Sequence, residues 1–297
     1  MALPHRETGA GGNHPRRAAA TRNLALRAAS AAVLAPIVVA VAYLGGWYFV
    51  VLCGLGAGGI LWEWTRLVTG RSDPRILAAG AAALLTALAF VGIGDGGAAV
   101  IAVALGAALA GFVAANGPVG LSATDRRLWA AGGVLYSGVA FLGPTLLRRD
   151  PELGFLAFVF LAATVWATDI FAYAVGRLVG GPLLWPQVSP NKTWSGAVGG
   201  LAGGVAAGTL VAYASGIGSL AVPGTAALLL SAMAQAGDLF ESAVKRRFGV
   251  KDASGLIPGH GGLMDRLDGF LVAASVALLI GILHQGTDAP ARGLLVW

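Results

Sequence analysis

QAGDLFESAVKRRFGVKDASGLIPGHGGLMDRLD, from Gln235 to Asp268, is a dense polar island in an apolar chain. Asp238, Glu241, Asp252, Asp265 and Asp268 alternate there with Lys245, Arg246, Arg247, Lys251 and Arg266, and His260 sits in a Pro-Gly-His-Gly-Gly turn. Apolar runs flank it: 221–240 overlaps its start and 268–284 overlaps its end. The island therefore reads as a loop between two membrane-crossing helices, with charge at one membrane edge. Its residue types suit phosphate chemistry. Carboxylates hold a hard divalent cation, Lys and Arg neutralise phosphoryl oxygens, and glycine-rich backbone can approach an anion and aim N–H groups at it.

The rest of the chain supports that setting. Of 297 residues, 57% are hydrophobic and 11% charged, and the mean hydropathy is +0.76. The charged share is less than half that of an ordinary soluble domain. The length leaves room for eight to ten spans of about 20 residues. Apolar segments fall at 28–44, 47–64, 75–92, 97–115, 128–147, 153–176, 195–214, 221–240 and 268–284. The fold class expected is an all-α polytopic integral membrane protein of about nine transmembrane helices. A polar, Arg-containing stretch at 1–27 reads as a disordered basic cytoplasmic tail, followed by an N-terminal helical membrane region, 28–152, and a C-terminal one, 153–297, that carries the catalytic loops. With the N-terminus inside, 17 of the 20 Lys and Arg lie on the cytoplasmic side, as the positive-inside rule requires. Arg148, Arg149 and Arg292 are the exceptions. The single Cys53 forms no intrachain disulfide. The net charge of +6 belongs to loops that contact membrane lipids, so no nucleic-acid partner is expected.

The island resembles the signature of the phosphatidate cytidylyltransferases, or CDP-diacylglycerol synthases. The matching residues are Ser242, the pair Lys245 and Arg246, the pair Lys251 and Asp252, then Pro258, His260, Gly261 and Gly262, and finally Asp265, Arg266 and Asp268. Two upstream elements extend the resemblance: Ser189, Pro190, Lys192 and Thr193 in the loop 177–194, and Asp169 with Ala172 and Tyr173 inside an apolar segment. One position departs from the pattern, since Ser195 stands where the family usually has Glu. The resemblance implies transfer of a cytidylyl group from CTP to phosphatidic acid at the cytoplasmic edge of the inner membrane. A CTP-dependent lipid kinase and a membrane transporter are the rival readings. The Asp-Gly-x-x-Ala-Arg opening of the CDP-alcohol phosphotransferases is absent.

Residue roles follow from chemistry and resemblance together. Asp238 and Asp265, each at the end of an apolar helix, are expected to hold one Mg2+, with Asp268 and Asp252 supporting it. Lys245, Arg246, Lys251, Arg266 and Lys192 would hold phosphates, and Gly259, Gly261 and Gly262 would let the loop fit closely. His260 reads as a turn-stabilising or phosphate-donating residue, because a phosphate monoester with a second pKa of about 6 needs little deprotonation. Ser189, Thr193, Ser242 and Asp169 complete the expected substrate contacts, although Thr193 also suits a helix cap. Glu63, between Trp62 and Trp64, reads as part of an interfacial anchor, and Asp95 as a solvated turn residue. A second, monovalent cation and a homodimer are compatible with these features.

Overall fold

The structure is a computed structural model that describes residues 33–114, 122–256 and 261–296. The expected tail, 1–27, and the site residues Gly259 and His260 lie outside the described residues. The N-terminal helices are α1 (Val33–Leu44), α2 (Gly46–Thr69), α3 (Pro74–Ile93), α4 (Gly96–Ala114) and α5 (Ala123–Arg148). After α6 (Gly154–Val179) comes an antiparallel hairpin of β1 (Leu183–Trp185) and β2 (Ser189–Thr193). The chain continues through α7 (Trp194–Ala214), α8 (Ala221–Arg247), α9 (Met264–Gln285) and the short α10 (Pro290–Leu295).

Seven of these helices are long and apolar enough to cross a membrane, namely α2 to α7 and α9. The protein is thus a polytopic α-helical membrane protein. The other two expected spans come out differently. Segment 28–44 is described only as α1, and 221–240 lies in α8, whose apolar run is interrupted by Gln235, Asp238 and Glu241. Of the seven, α5 is the most enclosed, with 72% of its span buried, and it packs chiefly against α2, α4 and α9. Large apolar side chains such as Ile101, Leu105, Phe112, Ile170 and Leu210 face outward, as on a lipid-facing surface.

Helix ends are closed by local chemistry. The Asp73 side chain accepts a hydrogen bond from Arg75 N, and Pro74 opens α3, where a missing N–H costs nothing. Asp95, expected in a turn, accepts from Ala98 N at 2.8 Å and starts α4. The Thr193 hydroxyl accepts from Gly196 N at 3.1 Å and caps α7. The carboxylate of Asp150 accepts from Glu152 N, Leu153 N and Arg292 N, tying the start of α6 to α10. Arg148 donates to the carbonyls of Ala42 and Tyr43 at 2.6 and 3.0 Å, and Arg149 to that of Gly94 at 2.7 Å. The two arginines that run against the charge rule therefore close the C-terminal ends of α1 and α3, where carbonyls lack helical partners.

Small residues set how closely the helices pack. Along α7, a Cβ on Gly200 would lie 2.9 Å from Thr168 O, and one on Gly204 2.4 Å from Thr168 Oγ1, so α6 and α7 meet nearly backbone to backbone. The crossing of α8 and α9 is reciprocal: a Cβ on Gly237 would stand 2.8 Å from Asp268 O, and one on Gly269 2.8 Å from Ala234 O. One apolar cluster fills the α2–α5 half around Leu61, Leu84, Val103, Val134 and Phe141. A second joins α6, α8, α9 and α10 around Phe160, Leu161, Leu230, Ala274 and Leu294. A third contains Ile60, Trp64, Tyr136, Val244, Met264 and Leu271 and bridges the two halves.

Candidate active site

The glycine crossing puts acids side by side. Gly237 precedes Asp238 on α8 and Gly269 follows Asp268 on α9, so the closest approach of the two helices falls at these carboxylates. Asp268 lies within electrostatic reach of both Asp238 and Glu241. Glu241, one turn beyond Asp238, is 1% exposed; no N–H or hydroxyl donor reaches its Oε1, and its carboxyl lies within hydrogen-bonding reach of that of Asp268. Burial pushes its carboxyl up to about 7, despite Lys245 at 2.9 Å from Oε2. Burial also works against the charge of Lys245, but Glu241 and Asp265 outweigh it and hold its pKa above the ordinary value. Tyr136 of α5 reaches the same acids with a buried hydroxyl that also lacks a partner.

The hairpin brings the upstream loop to this crossing. Lys192, on β2, forms an ion pair with Asp238 Oδ2, while Ser242 Oγ donates to Asp238 Oδ1 at 3.4 Å. Asp169, on α6, lies within electrostatic reach of both Asp238 and Lys192. Arg246 donates to the carbonyl of Val188 in the hairpin turn at 3.4 Å. Ser189 is half-buried at the start of β2. Three separated stretches of sequence thus converge on Asp238. Lys251, Asp252 and Arg266 are exposed around the rim. Ser195 is drawn away from the acids: its hydroxyl donates to Gly180 O at the end of α6 and shares a hydrogen bond with Thr193.

At the start of α9 the backbone N–H groups already have partners. Asp265 Oδ2 accepts from Gly262 N at 2.7 Å and Ala253 N at 3.0 Å, and Oδ1 meets Lys245 Nζ at 2.6 Å. The next two amides go to Glu63 of α2, with Leu263 N on Oε1 at 2.8 Å and Met264 N on Oε2 at 2.7 Å. Ser254 Oγ also donates to Oε1, at 2.5 Å. Sequence reading set Glu63 aside as part of an anchor. The signal that could have found it is the one used for Asp169: an acid in an apolar segment faces the bundle interior. Gly261 adopts φ +84, a conformation that favours glycine, and a Cβ on Gly262 would lie 2.7 Å from the Glu63 carboxylate.

Among the described residues no group of three His, Cys, Asp or Glu side chains is arranged to hold a metal ion. Magnesium commonly takes only one or two protein carboxylates and fills its shell with water and phosphate oxygens, so its fit rests on charge. Asp238, Glu241 and Asp268 crowd together, Glu241 and Asp268 within hydrogen-bonding reach of each other, and with Asp265 they carry more negative charge than Lys192 and Lys245 balance. A divalent cation suits that excess. Beside it, an apolar groove of about 530 Å³ runs between α2, α5 and α8, walled by Trp64, Leu128, Trp129, Tyr136 and Phe240.

Comparison with known proteins agrees with the motif reading. The phosphatidate cytidylyltransferase of Brucella suis biovar 1 is 52% identical over 166 residues, 56% of this chain and 61% of that protein. The phosphatidate cytidylyltransferase of Bacillus subtilis is 39% identical over 141 residues, 46% of this chain and 51% of that protein. That of Staphylococcus haemolyticus is 40% identical over 139 residues, 46% and 52% respectively. The matched part spans about half to three fifths of the length of these curated relatives. The model described as the cytidylyltransferase family runs over residues 25–283, from before α1 almost to the end of α9, and by that match over nearly the whole bundle the chain belongs to the cytidylyltransferase family.

Proposed function

We propose that the chain transfers the cytidylyl group of CTP to phosphatidic acid, giving CDP-diacylglycerol and pyrophosphate. The site would face the cytoplasm at the edge of the bacterial inner membrane, with the N-terminus on the same side. The observation that carries this reading is the Lys192–Asp238 pair, which ties the β1–β2 hairpin to the acids of the α8–α9 crossing. The name of the relatives, phosphatidate cytidylyltransferase, supports the same substrates.

In the reaction a phosphate oxygen of the lipid attacks the α-phosphorus of CTP. The bond from that phosphorus to the bridging oxygen breaks, and pyrophosphate leaves with the electron pair. No proton need be abstracted from the phosphate, whose second pKa is about 6, so positioning and electrostatics supply most of the rate. Lys192, Arg246, Lys251 and Arg266 hold phosphoryl oxygens. Lys245 balances Glu241 and Asp265 and keeps α8 and α9 in register. The aromatic groove offers an apolar wall to the acyl chains. A bound Mg2+ would supply positive charge toward the leaving pyrophosphate. Asp238 and one acid of α9 would hold it. Asp268 suits that role better than Asp265, because Lys245 and two backbone amides already engage Asp265.

Radiolabelled CTP and phosphatidic acid in detergent micelles test the reading. We expect CDP-diacylglycerol and pyrophosphate in equal amounts, dependent on Mg2+. Formation of CDP without pyrophosphate would instead mark a lipid kinase, and no turnover of CTP would overturn the proposal. Asp238→Asn and Asp268→Asn should each remove nearly all turnover. Asp265→Asn should be slow with an unchanged Mg2+ requirement, and a requirement raised only in Asp265→Asn would return the metal to that residue. Asp95→Asn, an equally good helix cap, should stay active.

A further inference from the structure

We propose that Glu63 is a positioning residue for this reaction: from α2 its carboxylate fixes the first turn of α9 and thereby the place of Asp265 and Asp268. The inference rests on the cytidylyl-transfer reading above. Glu63 lies at 0% exposure in the third apolar cluster's neighbourhood, about 200 positions away in sequence from the turn it holds. An acid is retained in such surroundings only where donors compensate it. Here the donors are Leu263 N, Met264 N and Ser254 Oγ.

The start of α9 needs that carboxylate. Its cap position is Leu263, whose side chain makes no capping hydrogen bond, so the orphan amides of the first turn must be satisfied from elsewhere. Glu63 takes two of them and places negative charge at the positive end of the helix. Gly262, the residue before, gives its N–H to Asp265. Three consecutive amides, of Gly262, Leu263 and Met264, are thus shared between a carboxylate on α9 itself and one on α2. The depth of α9 relative to α2 is pinned where Asp265 meets Lys245 and, one turn on, Asp268 meets the acids of α8. Gly262 is part of the same device, because a Cβ there would lie 2.7 to 2.9 Å from the Glu63 carboxyl atoms. Glu63→Gln keeps the shape and one oxygen acceptor, but whichever way the amide sits its NH2 faces one of the two backbone N–H groups, so donor meets donor there and the turn must shift. A misplacement of about 1 Å is enough to cost on the order of 100-fold in rate.

The test uses the full chain in detergent, with three readouts: pyrophosphate release, hydrogen exchange of residues 261–268, and the melting transition. For Glu63→Gln we expect kcat to fall about 10- to 100-fold and KM for CTP to stay within about threefold. Amides of 261–268 should exchange at least about tenfold faster while those of α3 and α4 stay unchanged. Gly262→Ala should give the same pattern. Glu63→Ala combined with Gly262→Ala should be no worse than Glu63→Ala alone, because the clash is gone, and that non-additivity is the mark of direct coupling. Wild-type kcat in folded Glu63→Gln, or faster exchange spread evenly over all helices, overturns the proposal. If Glu63→Gln does not fold, wild-type kcat in folded Gly262→Ala overturns it instead. If the wild-type chain releases no pyrophosphate, the cytidylyl-transfer reading fails, and the exchange data alone decide whether Glu63 holds the turn.

Discussion

Ser195 shows how a single side chain departs from the family pattern without entering the chemistry. Its hydroxyl is spent on Gly180 O and Thr193, which secures the hairpin to the end of α6. Removing a transition-state donor costs about 100- to 1,000-fold, whereas loosening a tether costs less. Ser195→Ala should therefore lose less than about tenfold in kcat/KM by pyrophosphate release, and a thousandfold loss in folded protein would show that the hydroxyl serves the reacting groups. The residues most legible in the sequence were those whose type alone signals their chemistry: the acids and bases of the island, and Lys192. Glu63 could be read as inward-facing from its apolar segment, but not its role, because its donors are backbone amides on a distant helix. No residue type announces a backbone partner.

Between elements, the decisive feature is the crossing of α8 and α9 on Gly237 and Gly269. The sequence reading paired Asp238 with Asp265, whereas the crossing brings Asp268 within electrostatic reach of Asp238. That depends on the register of two helices, set by which glycine meets which backbone. Gly237→Ala should force α9 away, because its methyl would meet the carbonyl of Asp268, which has no rotamer to escape into. Overpacking of this kind costs about 1–3 kcal/mol. We expect a lower melting temperature together with a loss of turnover well beyond that of an alanine placed on the lipid-facing side of α8. Full turnover in Gly237→Ala would detach the crossing from the reaction. Helix boundaries were legible from the apolar runs to within a few residues, least so where polar residues continue a helix, as at the end of α2, the start of α5 and above all the end of α8, which runs on through the site residues to Arg247.

For the whole molecule, orientation is the proposal with the widest consequences. Among the described residues seven helices are long and apolar enough to span, and with α1 and α8 crossing as well, as the nine apolar segments imply, the basic residues assign a side by the positive-inside rule. In a background lacking Cys53, single cysteines at 185 and 255 should be shielded from an impermeant thiol reagent in intact cells, and one at 218 should react. Labelling at 255 from outside would put the acids on the wrong side for CTP. Arg148 and Arg149, which oppose that count, find their explanation in the carbonyls of Ala42, Tyr43 and Gly94. Those carbonyls belong to α1 and α3, which leave the ribosome before α5. The acceptors are therefore made before the two arginines that they receive. Chain order makes α5 a clasp: its far end fastens two helices that precede it.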